Sequence, residues 1–118
     1  GLARQIRAAA DGVVYSARSD NHVIAPAGTD GAEPGRPARL IWNHGKADAR
    51  ELSSKVSALA LKAGESARLE TAGGGGSGPP GGRQDALLAN DIRSGKLSRA
   101  EADRLYGADA VARALTKA

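Results

Sequence analysis

The chain has 118 residues, no cysteine, and a formal net charge of +4 from 17 Lys and Arg against 13 Asp and Glu. This length allows one domain at most, and the lack of cysteine excludes disulfides and thiolate metal sites. Acidic and basic residues are interleaved without a basic block, so the charge does not by itself indicate nucleic-acid binding. The sequence has no apolar run of membrane-spanning length and no signal-peptide pattern, which predicts a cytoplasmic protein without membrane contact.

The apolar residues predict a small core. There is no Phe and no Met, and the aromatic residues are Tyr15, Trp42 and Tyr106. Much of the remaining apolar content is alanine, which buries little area. The 16 glycines add conformational entropy to the unfolded chain. We therefore expect the chain to be stabilised by docking on a partner protein.

The first part of the chain predicts short strands separated by turns. It opens with Leu2 and Ile6 at helical spacing, although this apolar stripe is short. Residues 21–36 are rich in Gly and Pro and predict a loop. Alternation and β-forming residues predict strands at 13–20, 38–44 and 66–71, turns at 43–46 and 62–65, and a return strand within 47–52. Residues 54–61 fit either a strand or a single helical turn.

After residue 83 the apolar period becomes helical. Leu88 and Ile92 are four residues apart and predict a helix over 85–94, with Gly95 as its left-handed cap. Ser98 and Glu101 form a capping-box pattern that predicts the start of a second helix, which Gly107 closes. Residues 108–118 predict a short, frayed third helix. The fold class predicted is α+β in a single domain: a mainly antiparallel sheet over about 13–71, a Gly/Pro-rich loop over 72–83, and a helical hairpin within the tail 84–118.

The loop between strand and helix has the sequence TAGGGGSGPPGG over 71–82. Composition alone fits a flexible linker. Its position before a helix also fits an anion-binding loop, in which the backbone N–H groups of residues 73–76 would be the donors. The Lys-Ser/Thr ending of a P-loop is absent, and Pro79 and Pro80 separate the glycines from the helix. Both interpretations remain open from composition.

The stretch LETAGGGGSGPPGGRQDALLANDIRSGKLSRAEADRLYG is similar to the carboxy-terminal signature of the hydantoinase B family. That family includes hydantoinase and oxoprolinase subunits and the acetone and acetophenone carboxylases. The positions that match its pattern are Thr71, Gly73, Gly74, Gly75, Gly76, Gly78, Pro80, Arg83, Asp91, Arg93, Gly95, Ser98, Tyr106 and Gly107, with Lys55 and Gly64 upstream. The chain departs from the family pattern at four positions. It has Ala72 in place of a proline, Ser77 in place of an aromatic residue, Pro79 in place of an aspartate and, upstream, Ala27 in place of the aromatic residue of a P-W-G turn.

Members of this family are several hundred residues long, so the resemblance covers only their last part. It implies a small subunit that completes a hydantoinase B-like large subunit, most closely in an acetophenone carboxylase-like, ATP-dependent enzyme that activates bicarbonate and carboxylates a ketone. The partners implied are larger hydantoinase A-like and B-like subunits. ATP and a divalent metal are expected in those partners, with no cofactor, metal or catalytic residue in this chain. A subunit of an ATP-dependent cyclic amide hydrolase is the alternative within the family.

The resemblance also implies candidate contact residues. The glycines Gly73, Gly74, Gly75, Gly76 and Gly78 would lie against an anion or another backbone. Lys55 and Arg83 are the basic residues at matched positions that could reach an anion, although salt bridges at the surface or at an interface are the commoner use. We expect the glycine-rich loop to be ordered, because runs of glycine serve where a Cβ is forbidden or where another backbone comes close.

Two interpretations from other classes stay open. The helical hairpin and the basic charge permit a helix-turn-helix nucleic-acid binder. Asp91, Glu101 and Asp103 weigh against it, because a recognition helix that faces phosphates rarely carries so many acids. A purely structural assembly subunit, without any site residue, is the other alternative.

Overall fold

A computed structural model describes residues 1–117 and has the predicted α+β fold. The strands are β1 Ala3–Arg7, β2 Val13–Arg18, β3 Arg39–Trp42, β4 Arg50–Leu52, β5 Lys55–Leu61 and β6 Ser66–Glu70. A short 3-10 turn at Pro80–Gly82 precedes the helices α1 Asp85–Arg93, α2 Arg99–Tyr106 and α3 Ala108–Lys117. The chain forms two compact units, the first from residues 1–29 and 33–76 and the second from residues 30–32 together with the segment from residue 77 onward.

Four strands of the first unit form an antiparallel sheet in the order β1-β6-β3-β4. Leu40 lies at its centre, paired with Leu52 on one side and Leu69 on the other, and is fully buried. The helical spacing at the start of the chain is misleading, because β1 is a strand in which Ile6 pairs with Ala67. Four of the five residues of β1 are exposed, so backbone pairing with β6, rather than a buried apolar face, makes this segment a strand.

The other two strands of this unit, β2 and β5, pair antiparallel as a separate ribbon. The ambiguous segment 54–61 is therefore a strand. A bulge interrupts the pairing beside Ser16, whose hydroxyl accepts a hydrogen bond from the backbone N–H of Ala58 at 3.0 Å. Ala58 has a φ of 53°, an uncommon value for a residue with a side chain. The core here consists of Ala8, Trp42 and Leu61, with Tyr15, Leu52 and Leu59 packed against it.

The predicted turn after β3 is present, and Asn43 stabilises it. Asn43 has a φ of 49° and is only 2% exposed. Its side-chain oxygen accepts from the N–H of Ser66 at 3.0 Å, and its side-chain nitrogen donates to Asp48 at 2.8 Å. A buried amide needs such partners, so Asn43 ties this turn to the start of β6.

The helices of the second unit pack around a small, alanine-rich core. Both α1 and α2 pack against α3, so the tail is a three-helix arrangement rather than a hairpin alone. The buried residues are Leu88, Ala89, Ala102, Val111 and Ala114. The third helix is thus part of the core and not a frayed end, although Ala118 lies outside the described residues. None of the described helices is long and apolar enough to cross a bilayer.

Candidate functional site

The glycines at 73–76, here called the glycine segment, lie beside residues 26–29 and 33–36, here called the facing loop. The first glycine donates its N–H to the carbonyl of Arg36 at 2.9 Å, and the last donates to the carbonyl of Glu33 at 3.1 Å. In return, the N–H of Thr29 donates to the carbonyl of the last glycine at 3.0 Å. Three backbone hydrogen bonds therefore join the glycine segment to the facing loop, which gives it a defined backbone path in the first unit.

The two backbones approach so closely that side chains would not fit between them. A Cβ at Gly75 would fall well inside van der Waals distance of the Ala27 carbonyl, and one at Gly35 would overlap the carbonyl of Gly73. At Gly74, by contrast, a Cβ would meet nothing within 4 Å. Glycine is thus required by space at Gly75 and Gly35, and the contact that requires it comes from the chain itself.

This arrangement limits what the glycine segment can do chemically. Two of its four N–H groups already donate to carbonyls of the facing loop, so an anion would be met by the amides of Gly74 and Gly75. Gly78 lies in the second unit and has a φ of 72°, with nothing within 4 Å of the position its Cβ would take. Anion binding at these glycines stays a prediction.

The two candidate basic residues lie in different units. Lys55 is exposed at the start of β5, where it pairs in register with Arg18. Arg83 forms an ion pair with Asp91 of α1 within the second unit. Among the described residues of the first unit, no hydrogen bond or ion pair joins the side chain of Lys55 to the glycine segment. The structure therefore gives Arg83 the salt-bridge partner that such a residue commonly has.

The ends of the helices carry glycines at positive φ and a serine hydroxyl that accepts a backbone hydrogen bond. Gly95, after α1, has a φ of 71°, and Gly107, after α2, has a φ of 84°. The hydroxyl of Ser98 accepts a hydrogen bond from the N–H of Glu101 at 3.2 Å. The carboxylate of Glu101 also accepts from Arg104 at 2.9 Å. These residues order the tail and leave its helix ends hydrogen-bonded.

The surface of α2 is a mixed-charge surface. Arg99 donates to Asp103 at 3.0 Å, and Arg104 donates to Glu101 at 2.9 Å. The basic groups of this helix are thus accompanied by acids one turn away. This is the arrangement of a solvated helix face and is poorly suited to phosphate contacts.

A further polar cluster lies on one face of the four-stranded sheet, and the sequence did not identify it. Arg39 of β3 donates its Nε to Glu51 of β4 at 3.1 Å, and Arg68 of β6 donates its Nε to Glu70 at 2.8 Å. The hydrogen bond from Arg68 holds the pKa of Glu70 below its ordinary value. These four side chains, with Arg36, contribute to the lining of an open cavity of about 590 Å³.

The sequence carried a weak signal for this cluster. Arg68 and Glu70 are two residues apart in a predicted strand and therefore share a face. Their neighbours across the sheet depend on the strand order and register, which periodicity does not give. The cluster forms because β3 lies between β4 and β6 in the sheet.

A comparison with protein-family models matches residues 1–80 to hydantoinase B/oxoprolinase. The matched part includes the sheet, the facing loop and the glycine segment. The chain belongs to the hydantoinase B/oxoprolinase family. Comparisons with curated proteins and with solved structures gave no significant match.

Within this hydantoinase B/oxoprolinase chain, the matched region and the first compact unit nearly coincide. The match ends at residue 80, before α1 begins, so the resemblance of residues 85–107 stays a prediction. The part of the chain that the structure describes contains no group of three or more His, Asp or Glu side chains that could hold a metal ion.

Proposed function

We propose that this chain acts as a small, non-autonomous subunit of an ATP-dependent enzyme of the hydantoinase B/oxoprolinase type. The observation that carries the proposal is the family match over residues 1–80, which includes the hydrogen-bonded glycine segment. In this proposal the chain completes a larger B-like subunit that works with an A-like subunit. ATP and a divalent metal are bound by those larger subunits.

The packing of the chain supports a role that depends on a partner. Among the described residues of the second unit, the core consists of five buried residues, three of which are alanine. In the first unit, Leu2, Val14, Val23 and Ile24 are all more than 60% exposed. Small domains bury little apolar area and have correspondingly small stability. A partner surface that covers such side chains would add the missing apolar burial.

Within the family, we propose an acetophenone carboxylase-like reaction, in which bicarbonate is activated by ATP and a ketone is carboxylated. The basis is the motif resemblance of the glycine segment and the residues that follow it. The alternative is ATP-dependent hydrolysis of a cyclic amide. Both reactions depend on stabilising phosphoryl oxygens, a task that we assign to the partner subunits.

The test is purification of the tagged chain from its native host, with mass spectrometry of what copurifies and an ATPase assay of the complex. We expect large hydantoinase A-like and B-like subunits, and ATP hydrolysis that increases when a ketone and bicarbonate are both present. A stimulation by hydantoin or 5-oxoproline instead would select the hydrolase alternative. Full activity of the large subunits in the absence of this chain would refute the proposed role.

A further inference from the structure

The charged sheet face contains two arginines in a geometry suited to binding one anion. Arg39 pairs in register with Glu70, and Arg68 pairs with Ile41. The two arginines therefore lie on neighbouring strands, on the same face, and diagonally opposite each other. Such diagonal neighbours are about 7–8 Å apart, a separation from which two long guanidinium groups can converge on one ligand.

Both guanidinium groups retain donors for a ligand. Each arginine uses its Nε for the ion pair described above, with Glu51 or Glu70 as acceptor. Within residues 1–117, the side chains of Arg39 and Arg68 make no further hydrogen bond. An arginine carries five N–H donors, so four remain on the terminal nitrogens of each. The carboxylates fix the two side chains in place and leave these outer nitrogens able to donate.

Both arginines line the open cavity of this sheet face, together with the carboxylates of Glu51 and Glu70. Arg39 is 52% exposed and Arg68 is 29% exposed, so a dissolved ligand can reach both.

We propose that Arg39 and Arg68 form a binding site for a small-molecule oxyanion, a phosphate or a carboxylate, on the open face of the four-stranded sheet. Planar guanidinium groups bind such oxyanions through paired, charge-assisted hydrogen bonds. The proposal rests on the sheet register and the ion pairs, and it is independent of the activity proposed above.

The test is a titration of the full chain with inorganic phosphate and, in a second arm, with acetate. Chloride is exchanged for the added anion so that ionic strength stays constant. The Nε–Hε signals of the arginines are followed by NMR. We expect saturable shifts at both Arg39 and Arg68, and the arm with the tighter saturation identifies the ligand class. Shifts that stay linear, or that are equal at Arg99, would overturn the proposal.

Matched variants separate this site from general charge screening. Arg39→Gln and Arg68→Gln should each weaken binding at least about tenfold, because each removes charge-assisted hydrogen bonds. Arg99→Gln is the control, since Arg99 is also 52% exposed and also donates its Nε to a carboxylate. The Arg99→Gln substitution should leave the affinity for the anion unchanged. An equal loss of anion affinity in all three variants would show general charge screening and would refute the proposed site.

A gain-of-binding variant tests the site even if the arginine variants fail to fold. Glu51→Gln removes one negative charge beside Arg39 and keeps a side-chain oxygen that can accept from its Nε. We expect it to tighten anion binding about two- to threefold, the effect of one charge at this range in a water-like medium. The fluorescence of Trp42 reports whether the first unit is folded in each variant. A folded Glu51→Gln protein with unchanged or weaker binding would contradict the proposal.

Discussion

The backbone contact of the first unit and the helix ends of the second unit require glycine for different physical reasons. In the first unit, Gly35 and Gly75 are required because a Cβ would collide with the backbone of a distant segment. In the second, Gly95 and Gly107 have open space around them, and they are required because their φ angles are positive. Space limits one set and backbone conformation limits the other.

This difference shows what a run of glycines means in a sequence. A positive φ after a helix is a local property, so helix periodicity and cap residues predict it. A close backbone approach depends on a segment about forty residues away in the chain, and no local pattern identifies that partner. A glycine at a helix end can therefore be predicted from the local sequence, whereas a glycine at a close backbone approach can be explained only from the fold.

The largest expected effect comes from adding one methyl group at the backbone contact. Gly75→Ala should lower the free energy of unfolding of the first unit by about 3 kcal/mol or more, because its Cβ would overlap the Ala27 carbonyl. Urea unfolding followed by the fluorescence of Trp42, the single tryptophan, gives this value.

Gly74→Ala is the matched control for that experiment. It adds the same methyl group one residue earlier, where nothing lies within 4 Å, and should change the free energy of unfolding by less than about 0.5 kcal/mol. If both variants lose equal stability, space at Gly75 is not what requires glycine there.

In the second unit, the strain of a positive φ gives the next largest effect. Gly95→Val places a β-branched side chain at a φ of 71°, which should cost about 2 kcal/mol. The helix signal in circular dichroism during urea unfolding measures this loss. Lys96→Val, at the next and exposed position, is the control and should be nearly neutral. A Gly95→Val protein as stable as that control would show that the conformation at this position is not limiting.

Much of the fold was predictable from local patterns. The helices, the loop at 21–36, the turn after β3 and most strands follow from periodicity and turn residues. The start of the chain was not predictable in this way, because Leu2 and Ile6 mimic helical spacing while β1 is stabilised by pairing with β6. Propensity is a weak prior wherever tertiary pairing supplies the hydrogen bonds.

The third helix was underestimated for a related reason. Val111 and Ala114 are fully buried, yet their stretch is rich in alanine and gives only a weak apolar pattern. Their burial depends on α1 and α2 packing against α3. In the same way, the convergence of Arg39 and Arg68 depends on the strand order. The sequence pattern does not show which elements, remote from each other in sequence, make contact in the fold.

A smaller effect is expected at the cap of α2. Ser98→Ala removes the hydroxyl that accepts from the Glu101 N–H at 3.2 Å and should cost about 1 kcal/mol. Ser98→Asp should restore most of this loss, because a carboxylate is also a good N-cap acceptor. Unfolding of the two variants, followed through the helix signal, tests the pair. An aspartate variant no better than the alanine variant would show that the cap hydrogen bond does not contribute.

The smallest effect concerns the ion pair between α1 and α3. Arg113 donates to both oxygens of Asp85, at 3.0 to 3.2 Å. This hydrogen bonding lowers the pKa of Asp85 below its ordinary value of 3.8 and raises the pKa of Arg113. A carboxyl whose pKa is lowered by folding stabilises the folded state above its unfolded pKa and loses that contribution as the pH falls through the folded pKa.

The helical unit should therefore lose the contribution of this ion pair only under acidic conditions, below pH 3.8 and through the lowered pKa of Asp85. At neutral pH, Arg113→Gln should be slightly less stable than the original chain, because surface ion pairs contribute little. The difference between the two proteins should shrink as the pH falls through that range, where Asp85 becomes protonated in both. Lys117, whose Nζ lies 3.9 Å from Asp85, keeps part of the attraction in the variant and makes the difference smaller.

Thermal unfolding of the original chain and of Arg113→Gln across this pH range measures the difference in their stability. A difference that stays constant down to full protonation of Asp85 would show that Arg113 stabilises the unit through packing and not through charge.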